Sequence, residues 1–249
     1  IIISFLNSCP FRKRNFDFLF SHLSCLKIPF IISEQILGNS KDDIIVERKS
    51  NYIHIKYYSN SLFKKSFLYN IASKYVGTKY LWFLDADVFI PFQDVLPLLK
   101  NQKVIRPFSS IFQLNQEDSY NFTNGFKVDL EKYEKDNFYG KHSLIIRKDI
   151  FSESEGFDEK FIGWGWEDLD FVQQKLYGVE PFIIESLNGV HLYHPVSKKR
   201  NERNNYFTFL ENRGLRKKIS YCFWGETLND INLNNLLKSL ENNFILKDN

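Results

Sequence analysis

Apolar residues along this chain fall into two patterns: short unbroken runs and stripes spaced three or four positions apart. Ile1 to Leu6 is an apolar run of the kind that forms a buried strand. Pro10-Phe-Arg-Lys-Arg14 follows as a predicted loop. Phe16, Leu19, Phe20, Leu23 and Leu26 then recur at helical spacing until Pro29. Phe30 to Glu34 predicts a second strand. Residues 35 to 60 are polar and irregular, with a short strand expected near Tyr52 to Lys56. Phe63, Phe67, Leu68, Ile71, Ala72 and Tyr75 form a second helical stripe, with Gly77 as its expected C-cap. Tyr80-Leu-Trp-Phe-Leu84 has the unbroken apolar character of a central strand buried on both faces, and it ends on Asp85.

Periodicity weakens over residues 108 to 137, which read as a long loop region near the site. Beyond it, Lys141 to Arg147 predicts a strand, Asp149 to Glu155 a short helix and Glu167 to Leu176 a longer one. Pro181 to Glu185 and Val190 to Tyr193 predict short strands. After Pro195 the chain turns polar and basic, then helical from about Leu228 to Leu246. Strands alternating with helices imply an α/β fold, with a mostly parallel central sheet and helices on both faces. In such sheets ligands sit beyond the carboxyl ends of the strands, which is where Asp85 falls.

Composition narrows the function classes. At 249 residues the chain can bury a core without disulfides or a structural metal. A net charge of +3 is too small to imply a nucleic-acid partner. Basic residues do gather at Lys198 to Arg200, Arg203, Arg213 and Arg216 to Lys218. They read first as a solvated face and second as a surface for a membrane, an anionic acceptor or another domain. Cys9, Cys25 and Cys222 are too few and too scattered for a disulfide framework or a zinc signature, pointing to a reducing, cytoplasmic setting. No segment is long and apolar enough to span a membrane. The opening at Ile1, without Met or a leader-like segment, gives the expectation of a trimmed catalytic domain.

Three motifs carry chemistry. Asp85-Ala-Asp87 places two carboxylates on alternate residues at a strand end, where they can meet one divalent cation and, through it, a diphosphate. The bland alternative is a polar strand end with helix-capping aspartates. Gly156-Phe-Asp-Glu-Lys-Phe161 and Gly163-Trp-Gly-Trp-Glu-Asp-Leu-Asp170 put three carboxylates at a helix start, where the helix dipole favours their ionised form. One of these can take a hydroxyl proton as general base. Trp164 and Trp166 offer flat apolar faces to a sugar ring. The competing reading is an acidic helix N-terminus with two core tryptophans. His191-Leu-Tyr-His194 supplies two imidazoles three positions apart, able to complete a metal site begun by Asp87.

In these ordered motifs the chain resembles the β-1,4-galactosyltransferase family and its relatives, the polypeptide N-acetylgalactosaminyltransferases and bacterial chondroitin-polymerase-type capsule enzymes. The resemblance spans roughly residues 1 to 196 and implies a GT-A fold, Rossmann-like in its sheet. It assigns Pro10, Arg12, Arg14, Phe63, Lys65, Asp85 and Ala86 to the donor nucleotide, and Asp87, His194 and His191 to a Mn²⁺ or Mg²⁺ ion. It makes Asp168 the catalytic base and places Glu167, Trp164 and Trp166 on the acceptor side, with Asp170 structural. Two departures stand out. Trp166 occupies the family's usual second glycine, and Gly140-Lys-His-Ser143 stands where a Gly-Gly pair is usual beside the donor sugar.

The resulting expectation is a GT-A catalytic domain over residues 1–196, with a nucleotide half to about residue 100 and an acceptor half from 101. A basic, partly helical extension covers residues 197–249. The expected activity is inverting transfer from a UDP-sugar to a saccharide hydroxyl in capsule or other surface polysaccharide synthesis, in the cytoplasm or at the inner membrane face. Retaining transfer and a non-catalytic sugar-nucleotide-binding module remain as alternatives. A nucleotidyltransferase could use Asp-x-Asp but leaves the Gly-Trp-Gly block unexplained.

Overall fold

The structure is a computed structural model that describes residues 1–38, 42–99, 101–136, 143–195, 201–215, 222–223 and 226–227. The expected helix over 228–246, the basic residues 198–200 and 216–218 and the Gly140 to His142 segment lie outside the described residues.

The first half intersperses helices among runs of strands: β1 (Ile2–Leu6), α1 (Pro10–Cys25), β2 (Phe30–Ile36), β3 (Asp43–Arg48), β4 (Tyr52–Tyr58), α2 (Lys65–Ser73), β5 (Tyr80–Asp85), β6 (Val88–Phe89) and α3 (Phe92–Val95). The second half holds β7 (Val104–Arg106), β8 (Ser110–Gln113), α4 (Gln116–Thr123), β9 (Lys135–Asp136), β10 (Ser143–Arg147) and α5 (Lys148–Glu153). It continues with α6 (Glu167–Asp170), β11 (Phe182–Ile183), β12 (Asn188–His191), α7 (Glu202–Leu215) and the short pair β13 (Cys222–Phe223) and β14 (Glu226–Thr227).

Eight strands form one sheet in the order β11-β7-β10-β5-β1-β2-β4-β3. Its centre is parallel: β5, β1, β2 and β4 all run the same way, while β10 joins β5 antiparallel. Side chains on a strand alternate between faces, and here both faces are apolar. Ile2, Ile31, Leu81 and Phe83 join Tyr69 and Ala72 of α2 in one core. Ile3, Ile32, Trp82 and Leu84 join Leu19 and Leu23 of α1 in another. The expected sheet with helices on both faces is therefore present. A second sheet, β6-β12-β8-β9, stands beside the first and proves decisive for the site.

Several local expectations are corrected. Pro10 to Arg14 is not a loop but the first turn of α1, because proline at the first helical position loses no hydrogen bond and brings a helical φ. Residues 35 to 60 hold an antiparallel β3–β4 pair in addition to the expected strand. Residues 108 to 137 are not one long loop: they contain β8, α4 and β9. Gly77 is not a C-cap, since α2 stops at Ser73 with Lys74 capping in right-handed geometry.

Aromatic packing holds the half of the core beneath the Gly-Trp-Gly block. Phe83 lies 5.0 Å from Phe151 and 5.1 Å from Phe157, and Phe157 stacks on Phe171 at 4.2 Å. Phe83→Ala is expected to lower the unfolding free energy by about 3–5 kcal/mol. Denaturant unfolding with an unchanged slope checks it.

Candidate active site

The parallel strands end together, and β5 delivers Asp85 to that edge. The chain turns through Ala86 and Asp87 into β6, which pairs antiparallel with β12 so that His191 lies opposite Val88. The backbone carbonyl of Asp87 accepts a hydrogen bond from the N–H of Leu192 at 2.8 Å. This pairing is what brings residues so distant in sequence together. His194 Nε2 lies 3.0 Å from Asp87 Oδ2, and His191 Nε2 lies 3.6 Å from Asp87 Oδ1.

Ligand atoms of Asp87, His191 and His194 all lie within 4.8 Å of one another. Among the described residues this is the group of such side chains able to hold a metal ion. One carboxylate with two imidazoles fits a divalent ion such as Mn²⁺. Burial would raise the Asp87 carboxyl, but His191, then His194 and Arg12, hold it far below the usual carboxylate range. It is thus ready as an anionic ligand.

Arg12 contributes to this corner. Its guanidinium donates to Asp87 Oδ2 at 3.3 Å and contacts His194 Nδ1 at 3.1 Å. Arg14 instead turns to Asn15 Oδ1 at 3.0 Å, and burial lowers its pKa. Pro10 is exposed at the start of α1, and Ala86 packs beside the β1–β5 core. Two residues that the sequence did not single out fasten the histidine segment. Buried Asn15 donates to the Tyr193 carbonyl at 3.1 Å, and Ser119 Oγ accepts from the Tyr193 N–H at 2.7 Å. Asn15 shows in the sequence only as a polar residue inside a helical stripe, and Ser119, in a stretch without periodicity, leaves no such trace.

A second cluster is built around the Lys65 ammonium. It lies 2.8 Å from Asp85 Oδ1, 2.8 Å from Asp168 Oδ2 and 3.2 Å from Glu167 Oε1. Lys65 starts α2 and the two acids start α6, so the cation ties the two helices together across the strand end. The three carboxylates, Asp168 first, overcome the cost of burial and raise the Lys65 pKa well above its ordinary value. Burial has the opposite consequence for Asp168, raising its carboxyl to about 7 against the pull of Lys65, with Glu167 and Asp85 adding to the rise. Tyr69 donates to Asp85 Oδ1 at 3.3 Å and completes the group.

The Gly-Trp-Gly loop runs in front of this cluster. Gly163 donates to the Phe63 carbonyl at 2.7 Å, so Phe63 meets the Gly-Trp-Gly loop through its backbone. Trp164 is 42% exposed. Glu167 is buried, and its Oε2 has no protein hydrogen-bond partner. Trp166, expected on the acceptor side, has its ring against α7: 5.0 Å from Tyr206 and 5.2 Å from Phe209. Its φ is +74°, a left-handed geometry that costs a side-chain-bearing residue roughly 1–2 kcal/mol and that glycine adopts freely.

Residues 121–194 match the family model described as the N-terminal domain of galactosyltransferase. Among solved structures, GalNAc-T7 with UDP, GalNAc and Mn²⁺ superposes with a TM-score of 0.53 at 11% identity, over 84% of this chain and 47% of that one. The fold is that of a GT-A glycosyltransferase. This GT-A chain spans about half the length of GalNAc-T7. Two Drosophila β-1,4-galactosyltransferase 7 structures also align. One, a mutant with manganese, UDP-Gal and xylobiose, has a TM-score of 0.46 and 11% identity, over 90% of this chain and 76% of that one. The other, a catalytic domain with xylobiose, has a TM-score of 0.42 and 15% identity, over 89% and 74%. No curated protein sequence matches. The chain thus resembles the galactosyltransferases over the matched segment and the GalNAc-transferases in fold.

The metal corner makes a direct prediction. Asp87→Ala is expected to weaken Mn²⁺ binding by more than about 100-fold, because even an outer-shell change costs 10–100-fold. Binding should also weaken as pH falls, since imidazole ligands must be unprotonated to coordinate. Titration calorimetry or Mn²⁺ paramagnetic resonance on the full chain checks both.

Proposed function

We propose that this protein is a metal-dependent glycosyltransferase that moves galactose, N-acetylgalactosamine or a close relative from a UDP-sugar to a saccharide hydroxyl with inversion. The observation that carries the reading is Asp168. It is a carboxylate raised to about 7, held 2.8 Å from Lys65 at the helix start facing the strand end. A group with that pKa is about half ionised at neutral pH, and its ionised form is basic enough to take a proton in the transition state. The match to a galactosyltransferase family model and the GT-A fold point to the same reaction class.

In this reading Asp168 accepts the proton of the acceptor hydroxyl as its oxygen attacks the anomeric carbon, and the bond from that carbon to the UDP oxygen breaks. Trp164 offers its exposed face to the acceptor ring, and the free Oε2 of Glu167 accepts from one of its hydroxyls. Arg12, Lys65 and Asp85 position the nucleotide, with Pro10, Arg14, Phe63 and Ala86 as further candidates. Lys65 also keeps Asp168 oriented while the donor is seated. A Mn²⁺ or Mg²⁺ ion on Asp87, His191 and His194 would neutralise charge on the departing diphosphate. Surface polysaccharide synthesis at the inner membrane face is the setting that we propose; no helix among the described residues is long and apolar enough to cross a membrane.

Asp168→Asn is expected to lower turnover by about 10²–10⁴-fold, with Mn²⁺ and UDP binding within a few-fold of the parent. Turnover within a few-fold of the parent would refute the base assignment. The ionised form is the active one, so kcat/KM should climb about tenfold per pH unit below a midpoint near 7 and level off above it. The product's anomeric configuration by NMR separates inversion from retention.

A further inference from the structure

Helix α7 begins beyond the expected catalytic boundary at residue 196, yet its side chains converge on the Gly-Trp-Gly loop. Asn205 is 1% exposed and makes three hydrogen bonds to that loop. Its Oδ1 accepts from the Ile162 N–H at 3.3 Å, and its Nδ2 donates to the carbonyls of Trp164 at 3.3 Å and Gly165 at 3.0 Å. Just before the helix, Asn201 donates to the Ile162 carbonyl at 2.9 Å. One turn and more further on, Asn212 donates to Asp158 at 2.9 Å and to Asp170 at 3.0 Å. Asparagine suits the task because one amide both donates and accepts, and so can complete backbone groups that no strand or helix pairs.

The loop has little room to move within this grip. Gly163 has a φ of +88°, and a Cβ there would come within 2.8 Å of the Asn201 Cβ. Its N–H is meanwhile held by Phe63 on the opposite side. Trp166 is the last link before α6. Its left-handed backbone directs Glu167 and Asp168 into the site, and its ring is anchored on Tyr206 and Phe209. A glycine would adopt that backbone angle without strain but would have no ring to anchor.

We propose that α7 is a positioning element for the saccharide acceptor, acting through Asn205 and the Trp166 anchor. The helix sets the backbone of residues 162–166, and this sets the exposed face of Trp164 and the direction in which Asp168 points. Asn205 and the Tyr206–Phe209 pair act on residues 162–166, so a change there is expected to fall more heavily on the acceptor side than on the metal corner. The acceptor part of the proposal rests on the glycosyltransferase reading above; the loop-ordering part does not.

The test uses the full chain and the variants Asn205→Ala, Trp166→Gly and Trp166→Phe. Four quantities are measured: hydrogen exchange at the 162–166 amides, UDP affinity in Mn²⁺, acceptor KM and kcat. The donors are UDP-galactose and UDP-N-acetylgalactosamine, and the acceptor is whichever p-nitrophenyl glucoside, galactoside, xyloside or N-acetylhexosaminide the parent uses best. Asn205→Ala and Trp166→Gly are expected to speed loop exchange about tenfold or more. They should lower acceptor kcat/KM by about tenfold to a hundredfold, with UDP affinity within about twofold. Trp166→Phe, which keeps an aromatic anchor, should return to within about threefold of the parent. Unchanged loop exchange, or UDP affinity falling as far as acceptor kcat/KM, would overturn the proposal. If Asn205→Ala does not fold, the Trp166→Gly and Trp166→Phe pair decides alone. A parent chain that transfers no sugar overturns the glycosyltransferase reading, while the exchange result still decides whether α7 orders the loop.

Discussion

Three carboxylates, Asp85, Glu167 and Asp168, converge on one buried ammonium, Lys65, and the rest of the site is arranged around that charge. Like charges this close in a desolvated corner repel one another, and the Lys65 ammonium offsets that repulsion. With it, the end of β5 is joined to α6 through the first residue of α2. The cluster therefore links the half of the fold that ends its parallel strands at Asp85 to the half that carries the Gly-Trp-Gly block. It also explains how Asp168 can be held at about 7: burial and its acidic neighbours push it up, while Lys65 restrains the rise. A carboxyl held there needs both influences.

The metal corner obeys a different logic. Asp87 sits only two residues from Asp85, yet it faces a separate set of partners because the chain turns out of β5 into β6. The β6–β12 pairing presents His191 to it, and Asn15 and Ser119 fasten the segment leading to His194. One short Asp-Ala-Asp stretch thus serves two electrostatic environments: an anion held low by imidazoles and a guanidinium, and an anion paired with a buried lysine.

Legibility from sequence followed the range of the interactions. The central strand was readable because Tyr80 to Leu84 is unbroken apolar sequence, and its end marked Asp85 and Asp87 as chemistry. The β3 strand was not, because it is an exposed edge whose Ile44 and Ile45 face solvent and leave no alternation to detect. Helix α4 escaped for a similar reason, being mostly polar with no apolar stripe, although Asn115 accepting from the Asp118 N–H is an N-cap signature that could have located it. Lys65 was noted only as a nucleotide contact, since nothing local shows that residue 65 meets residue 168. The grip of α7 was invisible for the same reason: asparagines binding distant carbonyls carry no periodicity.

The central claim, metal-dependent transfer from a UDP-sugar, is tested most directly by measuring UDP release from UDP-galactose and UDP-N-acetylgalactosamine with a panel of saccharide acceptors. Each reaction is run with Mn²⁺ and again after chelation. The account predicts acceptor-stimulated UDP release that needs the metal and is lost on chelation. UDP release that is indifferent to the metal, or none with any donor and acceptor while Mn²⁺ and UDP both bind, would contradict it.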